Sequence, residues 1–337
     1  MTVTLDQFTE LPPDLEAHEP PEARGLSRDG VRMLVTDKAS GGIGHHRFTE
    51  LPDLLKPGDL LVVNTSGTLP AAVHTERIAV HFSGRLDGGH WLVELRELTR
   101  RATVPYGGGL AGEWIPLPGG ATLRLLDRHT PRLWRARLDR DVVGYLRAYG
   151  RPIRYSYVER DWPLSAYQTV FGVDPGSAEM PSAGRPFSDA LVTRLVAKGV
   201  AFAPVTLHTG VASPEKDEPP YAEWFNVSAS TARRVEDTRR SGGRVIAVGT
   251  TGVRALESAA GPDGRAREAS GFTEHIVTPE GGVRLVDGLL TGLHEPKSTH
   301  LWMLRAIAGE DLLVRSYAAA VEGRYLWHEF GDVHLIA

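Results

Sequence analysis

The sequence predicts an α/β fold that carries an inserted small all-β domain, and three observations point there. Short apolar runs bounded by turn residues, such as Leu60-Leu61-Val62-Val63-Asn64, read as strands buried on both faces. Between about residues 71 and 138, runs of period-two alternation are separated by Gly-Gly and Pro-Gly-Gly clusters, the texture of antiparallel sheet or a small barrel. From about residue 190 onward strands and helices alternate, which implies a parallel α/β unit.

Taken in order, the proline-rich stretch Pro20-Pro21-Glu22-Ala23-Arg24-Gly25 should wrap the surface before the first strand. Arg32-Met33-Leu34-Val35-Thr36-Asp37 and residues 59–64 are the first two strands. Residues 48–55 between them form one or two helical turns, closed by Lys56-Pro57-Gly58-Asp59. Residues 71–150 form the inserted β domain, and residues 151–166 lead back. There follow a helix at 189–198, a strand at 201–207, a helix at 231–241, a strand at 244–248, a helix from about Gly252 and a helix at 301–308. The expected domains are therefore 1–70 together with 151–337, and 71–150.

Composition narrows the function. The net charge of −4 over 337 residues argues against a globally basic nucleic-acid or membrane binder, though not against a local basic groove. With no cysteine, disulfides, thiolate catalysis and sulfur-ligated zinc are excluded. The 13 histidines show no metal-ligand spacing, so no metal site is expected. The acidic start, with Asp6, Glu10, Asp14 and Glu16, is unlike a secretory signal, and no run approaches the ~18 apolar residues of a membrane span. A cytoplasmic protein without membrane or disulfide partners is the expectation.

Three segments carry chemistry. In Val245-Ile246-Ala247-Val248-Gly249-Thr250-Thr251-Gly252-Val253-Arg254, a buried strand runs through glycines and hydroxyls into a helix, so backbone N–H groups and the helix dipole can cradle an anion at the strand's carboxyl end. The same letters also fit a plain helix cap, and Arg254 with Glu257 also fits a surface ion pair. The loop His294-Glu295-Pro296-Lys297-Ser298-Thr299-His300 offers an imidazole, a carboxylate, an ammonium and hydroxyls before a helix, and the same letters fit a helix capped by Ser298 or Thr299 with Lys297 in solvent. Its spacing is not that of a zinc protease. His208 closes the strand Pro204-Val205-Thr206-Leu207, where α/β proteins place ligand-handling groups, and a lone histidine there also fits a purely structural role. Glu223, beside Trp224 and Phe225, reads as a desolvated carboxylate or as one face of an amphipathic strand.

These segments resemble one family, the S-adenosylmethionine:tRNA ribosyltransferase-isomerases of queuosine biosynthesis. The resemblance runs nearly end to end. It covers Ala17-His18-Glu19-Pro20, Arg28-Asp29-Gly30-Val31-Arg32, Leu51-Pro52-Asp53-Leu54-Leu55-Lys56-Pro57-Gly58-Asp59, Tyr167-Gln168-Thr169-Val170-Phe171, Val205-Thr206-Leu207-His208, Val248-Gly249-Thr250-Thr251, Leu256-Glu257-Ser258, His294-Glu295-Pro296-Lys297-Ser298-Thr299 and Gly331-Asp332. It implies a barrel-like α/β domain interrupted by a β-barrel domain. It also implies a reaction that moves and rearranges the ribosyl part of S-adenosylmethionine onto an aminomethyl-deazaguanine base in tRNA, releasing adenine and methionine. Under it, His208 and His294, with Glu223, are the expected proton-handling residues. Thr250, Thr251, Arg254, Lys297, Ser298 and Thr299 are expected to anchor S-adenosylmethionine.

The chain departs from the family pattern at particular places. Asn64-Thr65-Ser66-Gly67 stands where the family has Asn-Asp-Thr-Arg; Pro186 replaces a histidine, Gly292 an asparagine, and Pro220-Tyr221-Ala222-Glu223 stands for Met-His-Ser-Glu. Besides the family's tRNA reaction, two readings stay open: an enzyme that uses S-adenosylmethionine on a small-molecule acceptor or cleaves it, and a binding protein without turnover.

Overall fold

The computed structural model describes residues 12–99, 103–211, 221–294 and 300–337. In chain order the strands begin with β1 (Arg32–Thr36), β2 (Ile43–Arg47), β3 (Leu60–Asn64) and β4 (Ser66–Thr68). They continue with β5 (Ala72–His74), β6 (Ile78–Arg85), β7 (Trp91–Leu98), β8 (Thr103–Pro105), β9 (Trp114–Leu117), β10 (Ala121–Arg128) and β11 (Leu133–Leu138). The rest are β12 (Asp174–Ser177), β13 (Ala201–Leu207), β14 (Glu223–Val227), β15 (Val245–Val248), β16 (Ala269–Thr273), β17 (Gly288–Gly292) and β18 (Val333–Ile336). The helices are α1 (Leu51–Leu54), α2 (Val142–Tyr149), α3 (Asp189–Ala197), α4 (Ala229–Arg240), α5 (Thr250–Ser258), α6 (His300–Ala308) and α7 (Glu310–Glu322).

A nine-stranded sheet runs β16-β14-β13-β3-β15-β17-β18-β1-β2. Its middle, β13-β3-β15-β17, is parallel, whereas β14, β16 and β2 pair antiparallel and β18 runs against β17. The sheet is thus mixed rather than purely parallel. Strand periodicity explains its two cores. Leu60 and Val62 of β3 enter one apolar cluster with Val253 and Leu256 of α5 and Ala232 and Val235 of α4. Leu61 and Val63 enter the opposite cluster with Phe48, Phe187 and Leu191 and Leu195 of α3. A strand buried on both faces needs an unbroken apolar run, and this is what residues 60–63 supply.

Strands β5 to β11 form a second, antiparallel sheet of seven strands in the order β5-β6-β7-β11-β10-β9, with β8 on β7. Two expectations are corrected here. The ends of this sheet, β5 and β9, do not pair among the described residues, so a closed small barrel is not observed. The stretch read as all-β also contains α2, which Asp141 caps by accepting the Gly144 N–H, and whose Val142, Tyr145 and Leu146 pack into that sheet's core. Helix α4 starts at Ala229, earlier than the spacing suggested, because Ser228 caps it by accepting from the Thr231 N–H. No helix among the described residues is long and apolar enough to cross a membrane.

Two buried imidazoles tie stability to pH. His81 and His334 are each pushed down to about 3, chiefly by burial. An unfolded histidine binds its proton near its ordinary value of about 6.5, so between these limits the unfolded chain holds more protons. Stability is full above about pH 6.5 and falls as pH drops toward 3, by about 1.4 kcal/mol per pH unit for each histidine. Urea midpoints should rise steadily from pH 4.5 to pH 6.5 and then level off; a flat profile over that interval would contradict this.

Candidate functional site

The carboxyl ends of β3, β13, β15 and β17 lie side by side on one edge of the large sheet. Each delivers a polar residue there: Asn64 from β3, His208 just beyond β13, Thr250 and Thr251 beyond β15, and His294 two residues beyond β17. This is the edge where open parallel sheets bind ligands.

Asn64 holds the edge together. Its carboxamide oxygen accepts the N–H groups of Ser66 and Leu207, both at 3.0 Å. Its nitrogen donates to the Leu207 carbonyl at 2.9 Å and to Thr251 Oγ1 at 3.1 Å, tying β3 to β13 and to the start of α5.

His208 sits in a fitted slot. Trp224 stacks on the ring at 5.2 Å between centroids, and a Cβ at Gly176 would come within 2.4 Å of it, so only glycine lets the backbone pass that close. Nδ1 shares a 2.7 Å hydrogen bond with Ser66 Oγ, which meets Ser177 Oγ at 2.6 Å, and Ser177 accepts the Thr209 N–H at 3.0 Å. That leaves Nε2 on the side of Asp174, whose carboxylate is 4.0 Å away. Burial lowers the proton affinity of His208, with Asp174 opposing the shift, so the ring is neutral at pH 7 and able to accept a proton.

Thr250 and Thr251 open α5 directly after Gly249, whose φ of 87° turns the chain out of β15. The helix therefore begins before Gly252, where the sequence placed it. Its positive end and the Thr251 hydroxyl lie at the sheet edge beside Asn64, with Thr250 at the first helical position, an arrangement suited to a carboxylate.

Glu223 and Arg254 meet each other. Arg254 Nη1 donates to Glu223, Nη2 donates to the Tyr221 and Thr273 carbonyls, both at 2.8 Å, and Nε donates to the His275 carbonyl at 3.0 Å. Glu223 also accepts the Gly210 N–H at 2.8 Å, two residues beyond His208; burial raises its proton affinity and Arg254 pulls it back. The surface pair between Arg254 and Glu257 is corrected: both are buried, and Glu257 instead accepts the N–H groups of Arg284, Leu285 and Val286.

His294 shares a 2.8 Å hydrogen bond with Thr291 Oγ1 and stacks on His300 at 4.5 Å. Burial, with the neighbouring imidazoles, holds it neutral. Lys297, Ser298 and Thr299 lie outside the described residues. Of the departures, Pro186 and Gly292 line one cavity with Arg185, Glu329, Gly331 and Asp332. Tyr221 stands elsewhere, its hydroxyl accepting from Arg132 at 3.1 Å.

Ser177, Gly176 and Asp174 carry no sequence signal, and Ser66 stands out only as part of a departure from the family pattern. Small hydroxyls and a glycine carry no pattern, and they reach His208 from segments far away in sequence.

Fold and edge together define an α/β protein whose candidate ligand site is the edge formed by the carboxyl ends of parallel strands. A family profile described as queuosine biosynthesis protein matches residues 5–336, and the chain belongs to that family. It is 36% identical over 97% of both chains to the S-adenosylmethionine:tRNA ribosyltransferase-isomerase of Symbiobacterium thermophilum. It is 36% identical to that of an Azoarcus species, over 100% of this chain and 98% of the relative. The crystal structure of S-adenosylmethionine tRNA ribosyltransferase from Thermotoga maritima matches with a TM-score of 0.56 at 30% identity, covering 97% of this chain and 98% of that one.

Proposed function

We propose that this chain is an S-adenosylmethionine:tRNA ribosyltransferase-isomerase, which moves the ribosyl part of S-adenosylmethionine onto an aminomethyl-deazaguanine base in tRNA and releases adenine and methionine. The observation that carries this reading is the neutral, slotted His208 beside the start of α5, in a chain similar over nearly its whole length to proteins of that name. The sulfonium of the substrate acidifies the adjacent C5′ protons, and His208 takes one of them at Nε2. Thr250 and Thr251 receive the methionine carboxylate, with Lys297, Ser298 and Thr299 completing that end. Glu223 and Arg254 brace the strand end that presents His208, since the guanidinium is engaged with protein groups. His294, neutral and bonded to Thr291, handles a second proton. Residues 71–150 act as an inserted domain, and the chain works in the cytoplasm without a metal.

A second reading is favoured by one observation: Thr65, where the family has an acid, spends its hydroxyl on the Val205 carbonyl and Thr206, and Gly67 replaces an arginine. In that reading S-adenosylmethionine binds as before but the acceptor is a small molecule. Salt separates the two. A tRNA contacted at several phosphates should lose affinity by nearly one log unit per contact per decade of salt, and a flat response would remove tRNA as the acceptor.

A further inference from the structure

The reaction proposed above needs an acid as well as a base, and we infer that Glu329 is the proton donor to the departing purine. Its role rests on that functional reading. Three acidic residues near this sheet edge are buried enough to hold protons tightly: Glu223, Glu329 and Asp332. Glu223 is spent on Arg254 and the Gly210 N–H. Asp332 accepts the Arg32 and Leu326 N–H groups, both at 2.8 Å. Glu329 differs: its Oε1 is buried and has no hydrogen-bond partner among the described residues.

The surroundings are built for a neutral carboxyl. Glu329 lines a narrow cavity that reaches Gly292 at the end of β17 and Pro186, on the same edge as His294. His328, just before it, holds a φ of 71°, a left-handed conformation unusual outside glycine, which directs the chain at this turn. Next to it, Phe330 packs against Tyr167, whose buried hydroxyl also has no partner among the described residues. The charged and titratable groups acting on Glu329 or feeling it are Glu179, Arg185, Tyr155, Tyr157 and Tyr167. Burial and the Glu179 carboxylate push Glu329 up to about 8 against the pull of Arg185, so at neutral pH it carries a proton that His294 lacks.

The step balances. The bond between C1′ of the ribose and N9 of adenine breaks, its electron pair stays on the purine, and a lone pair of the ribose ring oxygen fills the deficit left at C1′. The Glu329 proton passes to a purine nitrogen, directly or through one water, and the carboxylate left behind is reprotonated from solvent. No redox partner is required.

The test uses the full chain with S-adenosylmethionine and acceptor, reading adenine release against pH. Wild type should lose rate as pH rises through about 8. Glu329→Gln should lower the rate at pH 7 by about 100-fold or more and abolish that limb, while S-adenosylmethionine still raises its melting temperature. Glu179→Gln, which leaves the donor in place, should move the limb to lower pH, and it serves if Glu329→Gln does not fold. An unchanged rate and profile in Glu329→Gln, or an unmoved limb in Glu179→Gln, overturns the assignment alone. A wild-type chain that releases no adenine with any acceptor overturns both the functional reading and this role.

Discussion

Replacing His208 by alanine should cut turnover by about 100- to 10,000-fold while leaving S-adenosylmethionine binding within a factor of a few. The slot is the reason. The ring is held by stacking on Trp224, by the close backbone of Gly176 and by Ser66 at Nδ1, so Nε2 is fixed before any substrate arrives. Such preorganisation serves proton transfer and adds little to affinity. A loss that appears equally in binding and turnover would make His208 a binding residue. Gly176→Ala provides a second handle, because its methyl would displace the ring and should lower turnover without removing the imidazole.

The largest expected effect on stability belongs to Glu257. Its carboxylate is 1% exposed and accepts the N–H groups of Arg284 and Leu285 at 2.9 and 2.8 Å and of Val286 at 3.2 Å, pinning the segment before β17 to α5. Glu257→Ala leaves these donors without their acceptor, at about 1–3 kcal/mol for each one that water does not reach. The sum should be about 3–5 kcal/mol, which for a chain of this length is about a 4–7 °C fall in melting temperature. A melting temperature within about 2 °C of wild type would mean that water or backbone movement satisfies the loop instead.

Much of the fold was legible because buried parallel strands need continuous apolar runs, and residues 59–64, 201–207 and 244–248 supply them within a residue or two of β3, β13 and β15. Helix α2 was hidden in a segment dominated by alternation and turns, although the Asp141 cap and the Val142, Tyr145, Leu146 spacing mark it. Helix α7 was also passed over, despite Leu312, Leu313, Tyr317 and Ala320 lying on a helical spacing. At the site, His208 and Thr250 with Thr251 could be placed because strand ends and helix starts are local features. The slot around His208 could not, since Ser66, Asp174, Gly176 and Ser177 come together only through the pairing of β4 with β12 and the packing of that pair against the end of β13. The environment of Glu329 is a matter of burial and of a second carboxylate 150 residues away in sequence, which no local pattern records.

We propose that this edge turns over S-adenosylmethionine with a tRNA acceptor. Incubating the chain with S-adenosylmethionine and tRNA carrying the aminomethyl-deazaguanine base, and measuring adenine and methionine, tests it most directly. Both products should appear in equal amounts, in step with modification of the tRNA, and His208→Ala should lower both by about 100-fold or more. Stabilisation by S-adenosylmethionine with no adenine released would contradict it.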